Sequence, residues 1–170
     1  MARLPGRSRE DLPEEGRRVY DEIVASRGEV DEAFQVLLPR PELLRRIAHL
    51  GSYIRFGSSL PASIRECIIL AAAREMHSEF EWASHEPQAR QAGVSDDTLH
   101  AIRKGELPSG DGEGAVVQLV YETLRDHRVT DAVFGRVERA FGVEGMTEVA
   151  ATLGYYALLG SILNVFDVGR

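Results

Sequence analysis

The fold is decided by the stretch from Glu66 to His85, which reads ECIILAAAREMHSEFEWASH. Its first half is almost wholly apolar, which predicts a helix that ends near Met76 and packs closely through its run of alanines. A second helix is predicted to begin at Ser78, because a serine followed three residues later by Glu81 matches the capping box. The stretch therefore predicts two packed helices that bring acid, base and aromatic side chains beside a core.

Helical periodicity continues on both sides of this stretch. Proline near first turns and glycine beyond last turns mark the predicted helix boundaries, and Pro87 is predicted to kink its helix. Residues 105–114 contain clustered glycines and read as the longest loop. No alternation of apolar and polar residues is long enough for a strand, so we predict an all-α fold of about seven or eight helices. Besides a short helical piece at residues 32–38, the predicted helices cover residues 14–26, 41–57, 61–76, 78–93, 95–103, 115–126, 131–141 and 143–166.

The length of the chain favours a single domain. A domain of 170 residues buries roughly two-thirds of its unfolded surface and needs no disulfide or metal for stability. Residues 1–12 are rich in Arg, Gly and Pro, so we predict a flexible N-terminal arm there and one helical domain over residues 13–170. The first residues lack the apolar run of a secretory signal, and export is not expected.

Composition excludes several classes of function. The chain carries 27 acidic and 20 basic residues, a formal charge of -7, which opposes nucleic-acid binding because that binding needs clustered Lys and Arg. The single cysteine, Cys67, excludes an intrachain disulfide, and this usage fits a cytoplasmic protein. Cys67 lies within the apolar stripe of its predicted helix, which indicates a small buried residue rather than a nucleophile.

The uncharged segment Val149–Phe166 meets the lower length limit for a membrane span. It contains Thr152, two glycines, a serine and an asparagine, and the chain has no second segment of this kind. We therefore predict a buried central helix or an oligomer interface here, and no membrane partner.

Three polar residues share one face of the second helix. Ser78, Glu81 and His85 are spaced i, i+3 and i+7, and a sharp turn at His77 would bring Glu66 of the preceding helix back toward His85. A carboxylate beside an imidazole fixes its tautomer and raises its basicity, which is the minimum machinery for moving a proton. Helix capping and an ordinary surface pair of Glu81 with His85 also explain these residues, so the alternative is a purely structural cluster.

A metal site is the other alternative for this helix. His77, Glu81 and His85 repeat every four residues, as metal ligands on a helix do. If Ser78 is the N-cap, however, His77 precedes the helix and its side chain leaves that face. The sequence therefore favours a site without metal.

Several motifs together resemble the carboxymuconolactone decarboxylase family, which includes alkylhydroperoxidase D. They are LPASIRE at residues 60–66, EWASH at residues 81–85, ARQAGVS at residues 89–95, and the helix from Gly154 to Phe166. The resemblance covers roughly residues 35–168 and implies an alkylhydroperoxidase D-like helical bundle. It also implies a homo-oligomer, trimer or hexamer, for which the uncharged last helix would suit an interface.

The resemblance also defines what this chain lacks. The peroxidase branch of the family carries E-x11-C-x2-C-x3-H, and the same register here gives Glu66, Ser78, Glu81 and His85. The outer acid and the histidine are kept, whereas both thiols are replaced. Dithiol peroxide reduction is not expected, because neither serine nor glutamate can be oxidised as a thiolate is.

The decarboxylase branch resembles this sequence more closely, since a tryptophan stands three residues before the histidine. The resemblance implies His85 as the proton donor or relay, Glu66 as its orienting partner and Glu81 as a second acid–base group. Trp82 and Ser78 would contact the substrate, and an arginine would bind its carboxylate by bidentate pairing. The candidates for that arginine are Arg65, Arg74 and Arg90, with Arg74 preferred.

The function implied is acid–base chemistry, of a lyase or isomerase type, on a small carboxylated lactone or organic acid. No metal or organic cofactor is required. The alternatives are a relative of alkylhydroperoxidase D that has lost its thiols, and a non-catalytic oligomeric binding protein.

Overall fold

Helices form throughout the part of the chain that the computed structural model describes, residues 3–4 and 6–169. Within these residues there are eight α-helices and no strand, so the predicted all-α fold is confirmed. A short 3-10 turn at Arg9–Asp11 precedes them, and π-helical turns follow α3 and α7 at Tyr53–Gly57 and Glu122–Asp126. The helices are α1 Glu14–Arg27, α2 Glu32–Gln35, α3 Pro41–Ser52, α4 Ala62–Glu75, α5 Glu79–Gln91, α6 Asp96–Lys104, α7 Asp111–Tyr121 and α8 Asp131–Phe166.

The described chain divides into two compact units. One comprises Met1–Gly57 with Ile162–Arg170, and the other comprises Ser58–Ser161. In the first unit α1 packs against α3, and Arg27 donates from its guanidinium to the carbonyl of Ala48 at 3.1 Å. The single domain over residues 13–170 stays a prediction.

The predicted N-terminal arm belongs to the first unit. Arg9–Asp11 forms the 3-10 turn, and the side chain of Leu12 is buried. The backbone N–H of Arg3 donates to the carbonyl of Phe166 at 2.8 Å. Residues 1, 2 and 5 of the predicted arm lie outside the described residues.

Helix α4 is the centre of the second unit. Every residue from Glu66 to Ala73 is buried, and the helix packs against α5, α6 and α7. A helix that is apolar on all sides is stable only when neighbours cover every face. The uninterrupted apolar run after Glu66 therefore makes α4 the core onto which the other helices of this unit fold.

Helix α8 is long and has a break at Gly142. That glycine has φ 72° and ψ -178°, which interrupts the helix between Phe141 and Val143, as the sequence predicted. The helix is long and apolar enough to cross a membrane by length and composition alone, and 44% of its most apolar window is buried in the structure. Burial of this kind is also found in core helices of proteins outside membranes.

Some boundaries differ from the prediction. Helix α7 begins at Asp111 instead of Ala115, because Gly110 at φ 134° supplies the turn and two acidic residues favour the first helical turn. The helix predicted over residues 41–57 is α-helical to Ser52 and π-helical over Tyr53–Gly57, and α2 ends at Gln35. Helix α5 continues in helical conformation through Pro87 to Gln91.

Gly160 brings α8 close to the end of α4. A Cβ built at Gly160 would lie 2.6 Å from the Cβ of Met76, which is closer than packed carbon atoms come. At Gly154, one and a half turns earlier, a Cβ would meet nothing within 4 Å. The two glycines therefore provide a matched comparison on one helix.

We expect Gly160→Ala to lower the free energy of unfolding by about 1–3 kcal/mol, because overpacking forces the backbone apart. The matched control, Gly154→Ala, is expected to leave stability unchanged or to raise it by up to about 1 kcal/mol through helix propensity. Urea unfolding of both variants measures the difference. Equal stability of the two variants would show that α8 does not approach α4 closely at Gly160.

Candidate active site

The site is built at the junction of α4 and α5. Residues Met76 and His77 connect the two helices, and His77 adopts φ 52°, a left-handed conformation that lets the chain reverse within two residues. Ser78 is the N-cap of α5, since its hydroxyl accepts from the N–H of Glu81 at 3.4 Å. The predicted cap is therefore confirmed, and it fixes which side of α5 faces α4.

Glu66 and His85 form a buried pair across this junction. The Oε2 atom of Glu66 lies 2.8 Å from Nδ1 of His85, and both residues are 5% exposed. An ionised carboxylate accepts hydrogen bonds only, so Nδ1 of the ring carries the proton that is shared with Glu66. The pair that the sequence predicted is thus brought within hydrogen-bonding distance.

The other nitrogen of the ring faces two further polar groups. The hydroxyl oxygen of Tyr156, on α8, lies 3.2 Å from Nε2 of His85, and the two rings meet edge to face. The Oε2 atom of Glu81 lies 3.6 Å from the same nitrogen. Glu81 is buried, which corrects the alternative of an exposed surface pair with His85. The imidazole therefore stands between a carboxylate on one edge and a phenol and a second carboxylate on the other.

This arrangement can move protons. A histidine whose Nδ1 proton is held by a carboxylate has a fixed tautomer, and its imidazolium form is stabilised by the same carboxylate. Burial strengthens these interactions because water does not screen them. The cluster therefore has the parts of a general acid–base centre, with Nε2 as the nitrogen that exchanges protons.

Trp82 and Ser78, both predicted to contact a substrate, have structural partners. The indole N–H of Trp82 donates to Glu86 at 2.8 Å, and the guanidinium of Arg103 lies 4.6 Å from the indole ring centre. Ser78 is buried and caps α5, as described above. The structure therefore gives Trp82 partners on α5 and α6, and its side chain is 6% exposed.

The three candidate arginines differ in their partners. Arg74 pairs with Glu75 and also donates to the carbonyl of Lys104 at 3.4 Å. Arg90 pairs with Glu86 and with Asp96.

Among the described residues, Arg65 has no carboxylate within ion-pair distance. Its Nε is buried without a hydrogen-bond partner in the same part of the chain. Arg65 is thus the candidate that has no ion pair among the described residues and whose Nε has no hydrogen-bond partner there.

A cleft of about 620 Å³ lies beside α5 and α6 rather than at the pair. Its lining includes Trp82, Arg90, His100 and Arg103, and neither Glu66 nor His85 is part of it. His77 is exposed, away from Glu81 and His85, and the described residues contain no group of three or more ligand side chains disposed to hold a metal ion. The acid–base cluster and the cleft are therefore separate features.

Cys67 follows Glu66 on α4, and its side chain is fully buried. Burial raises the pKa of the Cys67 thiol well above its ordinary value, and the carboxylates of Glu113 and Glu66 raise it further. Since the thiolate is the reactive form, Cys67 is held in its unreactive state.

We expect Cys67 not to react with a thiol reagent such as dithionitrobenzoate in the native protein at pH 8. The same thiol is expected to react with one equivalent of the reagent after unfolding in urea. Stoichiometric reaction of the native protein would contradict the buried, protonated thiol.

Two residues of the cluster's surroundings were not predicted from the sequence. Tyr156 lies within the segment from Gly154 to Phe166, and its contact with His85 depends on how α8 packs. Thr152, one helical turn before Tyr156, is 1% exposed, and its hydroxyl has no hydrogen-bond partner among the described residues. The available signal was the spacing i, i+4 of two hydroxyl-bearing residues on an uncharged helix.

Comparison with known proteins finds one family model that matches part of the chain. Residues 41–119 match the model of the carboxymuconolactone decarboxylase family. The matched segment includes all residues of the cluster on α4 and α5 and excludes α8. No curated protein matches the chain.

Solved structures share the fold of the whole chain. One is an alkylhydroperoxidase AhpD core, described as an uncharacterized peroxidase-related protein from Ralstonia eutropha JMP134, with a TM-score of 0.78, 19% identity, and coverage of 98% of this chain and 90% of that chain. Another is a variant of the debrominase Bmp8 in complex with 2,3,4-tribromopyrrole, with a TM-score of 0.79, 14% identity, and coverage of 99% and 92%. A third is an uncharacterized peroxidase-related protein from Silicibacter sp. TM1040, with a TM-score of 0.77, 12% identity, and coverage of 98% and 90%. The fold is thus that of AhpD-like helical proteins.

Proposed function

We propose that the chain, whose residues 41–119 match the model of the carboxymuconolactone decarboxylase family, is an acid–base enzyme of the lyase or isomerase type. Its substrate is a small carboxylated lactone or a related organic acid, and it works in the cytoplasm without a cofactor. The buried hydrogen bond of 2.8 Å between Glu66 and His85 is the observation that carries this proposal.

The chemistry assigned to the pair is proton supply after loss of carbon dioxide. The bond between the substrate carbon and its carboxylate breaks, carbon dioxide leaves, and the electron pair enters a conjugated carbonyl. A proton supplied from the Nε2 edge of His85, directly or by relay, then neutralises this charge at carbon, and the ring regains a proton from solvent. Glu66 holds the ring in place and stabilises its protonated form before transfer. Glu81, beside the same nitrogen, is a second acid–base group.

The absence of thiols at the register positions supports proton chemistry over redox chemistry. Ser78 and Glu81 occupy those positions, and neither forms a disulfide with a resolving cysteine. Cys67 is buried and its pKa is raised, so it does not substitute for them. We therefore do not assign peroxide reduction to this chain.

Arg65 is the candidate for binding the substrate carboxylate. It lies next to Glu66 on α4, and its Nε is buried without a hydrogen-bond partner in the described chain. Arginine suits this role because its planar fork pairs with both carboxylate oxygens. Arg74, the candidate that the sequence favoured, is instead committed to Glu75.

We also propose that the protein is a homo-oligomer, a trimer or a hexamer. Leu158 and Val143 on α8 are exposed apolar side chains, which supports an interface on this helix. Light scattering after size exclusion is expected to give three or six times the chain mass of 18.8 kDa. A mass of one chain at micromolar concentration would contradict this proposal.

A non-catalytic binding protein is the second candidate. The observation that favours it is the 620 Å³ cleft, which is separate from the buried pair and carries Trp82, Arg103 and His100. In that case the protein would bind a small molecule in the cleft and leave it unchanged. The Glu66–His85 pair would then serve only to hold α4 against α5.

One assay separates these candidates. Purified protein is incubated with 4-carboxymuconolactone and related carboxylated lactones, and both carbon dioxide and product are measured, while thiol-dependent peroxide reduction is measured in parallel. We expect turnover of a lactone and no peroxide reduction, with Cys67→Ser as active as the wild type. Peroxide reduction that needs thiols would contradict the proposal, and binding without turnover would favour the second candidate.

A further inference from the structure

We infer that Tyr156 is the side chain that exchanges the proton with the substrate, and that the hydroxyl of Thr152 binds a substrate oxygen beside it. This inference rests on the proposed function and deepens it, because it identifies the groups that touch the substrate. Both residues lie on α8, outside the segment that matches the family.

The imidazole of His85 can pass a proton onward from one of its two nitrogens. Its Nδ1 is committed to Glu66 at 2.8 Å, so only Nε2 can pass a proton onward. At that nitrogen the hydroxyl of Tyr156 is within hydrogen-bonding distance at 3.2 Å, whereas Glu81 stands at 3.6 Å, beyond a good hydrogen bond. The shortest proton path out of the ring therefore runs through the Tyr156 hydroxyl.

The position of α8 is fixed on both sides of Tyr156. Before it, the carboxylate of Glu148 accepts hydrogen bonds of 2.9 Å from the hydroxyls of Ser58 and Ser59, which precede α4. After it, Gly160 allows the helix to approach Met76 at the end of α4. Tyr156 is therefore held at His85 by contacts on either side of it.

Thr152 lies one turn before Tyr156 on the same face of α8. A buried polar group is normally hydrogen-bonded, and an exception calls for an explanation. Other hydroxyls on this helix bond to the carbonyl four residues earlier, as Thr147 does to Val143 at 3.0 Å and Ser161 does to Ala157 at 2.8 Å. The Thr152 hydroxyl has no such partner in the described chain, although it is 1% exposed.

An unpartnered, buried donor next to a proton carrier suits a substrate oxygen. The ligand class is a carboxylate or lactone carbonyl, whose oxygen would accept from the Thr152 hydroxyl while the reacting carbon faces Tyr156. Such binding would satisfy the orphaned hydroxyl, which is otherwise costly to bury.

In this transfer the proton passes from Tyr156 to the substrate carbon, and a second proton passes from His85 to Tyr156. The O–H bond of Tyr156 breaks and its proton bonds to the carbon that received the electron pair of the departing carbon dioxide. The phenolate oxygen takes the proton from Nε2 of the imidazolium, and His85 becomes neutral with Nδ1 still bonded to Glu66. Solvent returns one proton to the ring, so each turnover consumes one proton and releases one carbon dioxide.

The test compares single hydroxyl deletions on the lactone that the wild type turns over best. Tyr156→Phe is expected to lower kcat by about 10²-fold or more while KM changes little, because it removes the transferred proton. Tyr155→Phe, which deletes the hydroxyl of the neighbouring buried tyrosine, is the matched control and is expected to keep kcat. Wild-type kcat in Tyr156→Phe would overturn the proton-carrier role.

Thr152→Val provides a readout that a structural role would not give. Valine has nearly the same shape as threonine but lacks the hydroxyl, so we expect a higher Tm together with a rise in KM of roughly 2- to 10-fold. Thr152→Ser keeps the hydroxyl and is expected to keep the wild-type KM. A lower Tm or an unchanged KM in Thr152→Val would overturn the substrate contact.

These results are distinguishable from failure of the proposed function. If the wild type turns over no lactone, the proposed function fails and the inference fails with it. If the wild type is active, His85→Gln is inactive and Tyr156→Phe is fully active, the inference alone fails.

Discussion

Replacing Glu66 by glutamine is expected to lower kcat by about 10²–10⁴-fold while the protein remains folded. Glutamine has the size of glutamate, so it can still fill the buried position and accept from Nδ1 of His85. It has no charge, however, and cannot stabilise the protonated ring that donates the proton. The loss should therefore appear in kcat rather than in KM, as measured by initial rates of carbon dioxide release.

The matched control for this variant is Glu122→Gln, which makes the same change of acid to amide in the π-helical turn after α7. Glu122 accepts from the N–H of Thr130 at 2.8 Å and contacts none of the residues of the cluster. We expect its kcat to equal that of the wild type. If Glu66→Gln also kept the wild-type kcat, the pair would be a structural contact and not part of the catalytic machinery.

Replacing Leu70 by alanine is expected to lower the free energy of unfolding by about 2–5 kcal/mol. Leu70 is fully buried and lies one turn after Glu66 on the same side of α4. Its truncation removes apolar contacts and leaves a cavity beneath the acid–base pair, in the helix on which the second unit folds. Urea unfolding followed by circular dichroism gives the change.

Leu107→Ala is the matched control for this stability effect. Leu107 is 51% exposed between α6 and α7, so its truncation is expected to change stability by no more than about 0.5 kcal/mol. Equal losses in the two variants would mean that α4 is not the buried core of this unit.

Much of the fold could be predicted because local patterns and packing agree. The apolar run before Met76 and the cap at Ser78 define α4 and α5 from short-range signals alone. The break at Gly142 was also predictable, since a glycine between two periodic segments marks the boundary. The predicted start of α7 was four residues too late. Gly110 turns the chain with a positive φ, and hydrophobic periodicity does not indicate such a turn.

The part of the site that could be predicted lies on α4 and α5, which are consecutive in the sequence. A turn of two residues at His77 forces α5 back along α4, so Glu66 and His85 meet by local geometry. The burial of Glu81 was less clear, because spacing on a helix does not say which face other helices cover. Its carboxylate could be read equally well as a cap or a surface partner.

Tyr156 and Thr152 could not be assigned from the sequence because their role depends on tertiary packing. They are separated from His85 by α6 and α7, and only the approach of α8 at Gly160 brings the Tyr156 hydroxyl to Nε2. The partners of the candidate arginines also depend on tertiary packing. Arg74 pairs with Glu75, whereas the Nε of Arg65 is buried without a hydrogen-bond partner among the described residues, so Arg74 stays a prediction and Arg65 is a proposal.

The central claim is that His85 is the acid–base group of a decarboxylase-like enzyme. Its most direct test is a side-by-side measurement of kcat for wild type, His85→Gln and the exposed control His49→Gln, on one carboxylated lactone without thiols or peroxide. We expect turnover by the wild type and by His49→Gln, and a loss of about 10²-fold or more in His85→Gln. Undiminished turnover by His85→Gln would contradict the claim.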